Sequence, residues 1–190
     1  MIENEVSILL QQYFRSKGLE VMGKYNAFNH DDDELERSLV IDLAIGPEGT
    51  KGLRTEAQQV ADQNRFQEHA STIDSAIEEI REISIFPKNQ KSIKCWSWKP
   101  NPNPLVGIAI EIENNLSKYF LGSLLAAAIT GRWGIVVIQD TREEDRWVNT
   151  IQRMMHKGSN SPIPSNIIIL SWTSLYQKIT ESQEGEEVTE

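Results

Sequence analysis

The stretch from Leu105 to Ile138, LVGIAIEIENNLSKYFLGSLLAAAITGRWGIVVI, constrains the fold more than any other part of the chain. Val106 to Ile112 is mostly apolar and predicts a buried strand. Glu111 and Glu113 fall two residues apart, so on a strand both carboxylates project from one face, about 7 Å apart. Ile110 and Ile112 point the other way, toward packing. After Asn114 and Asn115 the pattern turns helical over Leu116 to Ile129, with Gly131 as a C-terminal stop. Trp133 to Ile138 then predicts a second buried strand. Strand, crossover helix and strand make a βαβ unit, which should be parallel and right-handed. Two carboxylates in such a strand call for a reason.

The rest of the chain supplies a frame for this unit. Ile2 to Ser16 predicts an amphipathic helix, with Ile2, Val6, Leu9, Leu10 and Tyr13 at helical spacing and Glu5 lying within that stripe. Lys17-Gly18 ends it, and Leu19 to Tyr25 follows as a strand. Asn26 to Glu36 is a polar loop holding Asp31, Asp32, Asp33 and Glu34. Ser38 to Ile45, SLVIDLAI, predicts a strand interrupted by one acid, Asp42, and closed by Gly46, Pro47 and Gly49. Leu53 to Ile83 reads as helical, either continuous or with a break, its clearer stripe in the second half being Phe66, Ala70, Ile73, Ile77 and Ile80. A further strand within Lys88 to Trp98 and a stiff KPNPNP connector lead into the βαβ unit. Beyond it come a surface helix over Arg142 to Lys157, with Trp147, Ile151 and Met154 on one face, a strand at 166–170 and a helix at 173–179. The expectation is a single α/β domain over 1–180, a mixed sheet flanked by helices, with 47–104 inserted between core strands.

At 190 residues the chain can build one proper core. No apolar run is long enough to span a bilayer and the start lacks a signal-peptide pattern, so a cytoplasmic location is the default. The lone Cys95 excludes an internal disulfide and, without a sequence partner, makes a catalytic thiol a poor expectation. A net charge of −9 argues against coating nucleic acid by bulk positive charge. Part of that charge sits in residues 181–190, an acidic tail expected to be disordered. His30, His69 and His156 show no metal-ligand spacing, and Asp31 to Glu34 lack the spaced ligands of a calcium loop. Lys91, Lys94, Trp96, Trp98 and Lys99 mix cations with aromatics, equally suited to a core strand or to stacking on nucleic acid.

If strands 38–45 and 106–113 are neighbours, about 4.8 Å apart, Asp42 and Glu111 converge on one point. Hard oxygen ligands beside a polar loop are what Mg²⁺ prefers. With these residues in place, the sequence resembles the PD-(D/E)XK nuclease superfamily. An Asp in one hydrophobic strand is followed by acid-x-(Lys or acid) in the next, then by a helix and a parallel strand. The resemblance implies a restriction-endonuclease-like fold, with core order helix, three strands, helix, strand, over most of the chain to about residue 140. It implies DNA as substrate, Mg²⁺ (or Mn²⁺) held by Asp42 and Glu111, and Glu113 at the position usually given to Lys, as a second-metal or water-positioning group. Glu5 matches an acid on the first helix of many members, and Lys118 is placed to supply the missing positive charge. Double-strand cutters commonly pair, so a homodimer is expected. The rival expectation is a catalytically inactive binding or scaffolding module on the same fold. Blander roles also exist for each residue: Asp42 facing water at an edge, Glu111 and Glu113 on a solvated face, Glu5 complementing the helix dipole, Lys118 a surface lysine.

Overall fold

Apolar residues at helical spacing at the start of the chain, and strand-like apolar runs after them, sort the chain into helices on both faces of one sheet. The computed structural model describes residues 2–26, 40–49, 55–85, 98–102, 104–114, 120–139, 146, 149–150 and 164–187. In chain order the elements are α1 (Ile2–Ser16), β1 (Val21–Asn26), β2 (Val40–Glu48), α2 (Glu56–Arg81), β3 (Val106–Glu113), α3 (Phe120–Thr130), β4 (Gly131–Ile138), β5 (Ile167–Ser171) and α4 (Trp172–Glu187). The strands form one sheet in the order β1-β2-β3-β4-β5. β1, β2 and β3 pair antiparallel, whereas β3, β4 and β5 run parallel. The mixed α/β class is as expected, and the two acid-bearing strands are neighbours, the condition for Asp42 and Glu111 to converge.

Two apolar layers follow from strand alternation. On one face Leu43, Ile108, Ile110, Ile135 and Leu170 pack with Val6, Leu10 and Phe14 of α1, Ile73, Ile77 and Ile80 of α2, and Leu175 and Ile179 of α4. On the other, Ala44, Ala109, Val136 and Ile169 pack with Phe120, Leu124 and Ala127 of α3. The segment 47–104 is therefore more than an appendage to the sheet. Its helix α2 opens with a capping box, the Thr55 hydroxyl accepting from Gln58 N while the Gln58 side chain accepts from Thr55 N. Asp74 on α2 then accepts hydrogen bonds from Trp133 Nε1 at 2.7 Å and Arg132 Nη2 at 3.1 Å, tying that helix to β4.

Several boundaries differ from the sequence expectation, and three of them have a clear local reason. β2 does not stop at Ile45 but continues through Gly46 and Pro47, because a register shift between Ile45 and Glu48 absorbs them. Gly46 takes a φ of +85°, open to glycine at little cost, and its N–H donates to Glu20 O. Gly131 does terminate α3, yet it is already the first residue of β4. Finally, α4 runs to Glu187, so the acidic stretch from Glu181 onward, expected to be disordered, is helical to that point. Buried Leu175 and Ile179 anchor the helix, and extending an existing helix through Glu and Gln costs little.

The acidic loop 31–34, all but Trp98 of the strand expected within Lys88 to Trp98, Cys95, His30, His156, Lys118 and most of the helix expected over 142–157 lie outside the described residues. Among the described residues, no helix is long and apolar enough to cross a membrane.

Candidate functional site

Register brings the acids together. β2 and β3 pair at Leu43↔Ile110, and one position further the same register sets Asp42 opposite Glu111. The backbone ladder ends there. The N–H of Ile112 donates instead to Asp42 Oδ2 at 2.9 Å, so a carboxylate takes the place of a ladder carbonyl. On the other side of β2, Gly23↔Leu43 and Tyr25↔Ile41 place Lys24 across from Asp42, and Lys24 Nζ lies 2.7 Å from Asp42 Oδ1. Lys24, Asp42 and Glu111 thus form one transverse row over three adjacent strands.

Glu113 stands two residues beyond Glu111, opposite Ile138 of β4. Its carboxylate accepts a hydrogen bond from the Ser123 hydroxyl of α3, which fixes the acids on the face that α3 covers. The Glu113 carbonyl accepts from Gln139 N at 2.9 Å, closing the end of the parallel pair.

Negative charge is in excess here. Glu111 is partly buried, and burial comes first among the causes that push its carboxyl up to about 8. The charges of Asp42 and Glu113 and a hydrogen bond with Asp42 push the same way, against a smaller pull from Lys24. Without another cation the Glu111 carboxyl keeps its proton at neutral pH. Such a set of hard oxygen donors suits Mg²⁺ or Mn²⁺ in chemistry, because a divalent cation would relieve the crowding that holds the proton. It is not a finished cage. Among the described residues no three His, Cys, Asp or Glu side chains are gathered to hold an ion, and both Asp42 oxygens are engaged.

Of the residues singled out in the sequence, Asp42, Glu111 and Glu113 share a face. Glu5 does not join them: it is exposed on α1, whose buried residues belong to the layer across the sheet. Lys24 was not legible as a site residue. Its only signal is strand alternation on β1, since Met22 and Lys24 share parity with Ala44 and Asp42 once the β1–β2 register is known. No protein-family model, curated protein or solved structure matches the chain.

Proposed function

We propose that the protein is a Mg²⁺-dependent nuclease of the PD-(D/E)XK type, hydrolysing DNA phosphodiesters. One observation carries the reading: Asp42 and Glu111 meet side by side on neighbouring strands, on the face that also bears Glu113. The order of elements supports it in part: the chain runs helix, two antiparallel strands, the additional helix α2, then β3, helix and parallel strand, against the order helix, three strands, helix, strand expected of that superfamily.

Asp42 and Glu111 would hold the cation. When bound, it would polarise the phosphodiester and lower the pKa of a bound water. The Ile112 N–H fixes the orientation of Asp42 through Oδ2, so that ligand is held in place beforehand. Glu113, held by Ser123, adds a flanking negative charge and accepts a hydrogen bond. Lys24, whose ammonium lies beside Asp42, would supply the positive charge otherwise assigned to Lys118. The test is cleavage of single- and double-stranded DNA with Mg²⁺ or Mn²⁺. The expected outcome is nicking or cutting that falls by at least about 100-fold in Glu111→Ala. No cleavage on any substrate, or activity untouched by that substitution, overturns the proposal.

A second reading is an inactive binding module on this fold. The observation in its favour is the Lys24–Asp42 ion pair, which already neutralises the first acid. It expects no divalent affinity at these acids and a protein partner instead.

A further inference from the structure

We infer that Lys24 is the resident counter-ion of the acidic row, occupying the Asp42 oxygen that a divalent cation would take, so that cation binding and release of Asp42 by Lys24 are one exchange. The inference rests on the metal-binding reading above and adds to it a competitor built into the chain.

Geometry makes the two occupants alternatives. Asp42 has two oxygens, and Oδ2 is committed to the Ile112 N–H at 2.9 Å. Oδ1 carries Lys24 Nζ at 2.7 Å, and the same carboxylate shares a hydrogen bond with Glu111, so little of its acceptor capacity is left. A divalent cation held by the Asp42 carboxylate would meet the ammonium there, and like charges do not share a carboxylate at that range without repulsion.

Exposure makes the exchange easy. The Lys24 side chain is 70% exposed while that of Asp42 is 19% exposed. The ammonium is largely hydrated already, so it can leave without a large change in solvation, whereas the carboxylate it leaves behind is the sheltered partner. An ion pair of this kind is weak by nature. It neutralises Asp42 in the metal-free protein and yields when a doubly charged ion arrives.

The backbone places Lys24 deliberately. Its φ is +48°, a left-handed conformation unusual for a lysine in a strand. A position so unfavourable for a side-chain-bearing residue persists when surrounding contacts over-determine it, and the ion pair with Asp42 is among the contacts Lys24 makes.

Calorimetric titration of Mn²⁺ and Mg²⁺ into the full chain tests this, with wild type, Lys24→Met, Lys24→Arg, Asp42→Asn and the charge control Lys17→Met. Circular dichroism confirms that each variant is folded. The expected result is binding about five-fold tighter in Lys24→Met than in wild type. Lys24→Arg and Lys17→Met should stay near wild type, and Asp42→Asn should lose binding. Binding detected in Lys24→Met alone also supports the exchange, with the lysine winning in the wild type. Wild-type binding that Lys24→Met leaves unchanged or weakens, or that Lys24→Arg or Lys17→Met tightens equally, overturns the counter-ion role and leaves the metal reading standing. No binding in wild type or in Lys24→Met overturns both.

Discussion

At the scale of single residues, the chemistry of the site is set by how many carboxyls share one face. Glu111 shows the consequence, holding its proton up to about pH 8. An unfolded Glu releases that proton near its ordinary value of 4.5. Between those limits the folded chain binds the extra proton, so folding stability falls as pH rises through the window and levels off above it. The slope contributed is up to about 1.4 kcal/mol per pH unit. Urea denaturation in chelator from pH 4.5 to 8.5 should show wild type losing stability relative to Glu111→Gln across that range. Parallel pH profiles for the two proteins would refute it. The strand pattern made Asp42, Glu111 and Glu113 legible, because charges inside apolar runs stand out. Lys24 was hidden because a lysine on a half-exposed edge strand is ordinary until its neighbour is known.

At the scale of elements, the site depends on strands held at fixed register, and glycines permit the closest approaches. At Gly131 a Cβ would fall 2.2 Å from Trp133 O and 2.7 Å from Ala109 N, both backbone atoms that cannot move aside. Gly131→Ala should therefore destabilise the fold by about 3 kcal/mol, read from the midpoint of chemical unfolding. A loss within experimental error would mean that α3 and β4 meet less tightly than described. The sequence marks Gly131 as the end of a helix, which is correct, but steric contact with β3 and with the turn of its own strand gives it a second duty. In the same way, the apolar stripe Ile73, Ile77 and Ile80 announces a helix without announcing its destination. Burial of that stripe against Leu43, Ile108 and Ile135, together with the Asp74 bonds to Arg132 and Trp133, sets α2 on the sheet.

At the scale of the whole molecule, a cation that binds the folded acids and not the unfolded chain must stabilise the fold by mass action. At a concentration near 100 times its Kd the gain is about 2.7 kcal/mol, which raises Tm by roughly 5–10 °C in a chain of this size. Thermal unfolding with and without Mn²⁺ should show that rise in wild type and none in Asp42→Asn. Equal shifts in both proteins would place the binding elsewhere. The sequence by itself determined the α/β class, the positions of β3 and β4, the first helix and the three acids, since periodicity and misplaced charge are local properties. Tertiary structure alone decided the rest. It set Asp42 against Glu111, brought Lys24 to the same row, left Glu5 exposed on a helix that packs across the sheet from the acids and carried β2 through Gly46 and Pro47. Those outcomes depend on register between strands distant in the chain, and register is fixed by packing across the sheet rather than by any stretch read alone.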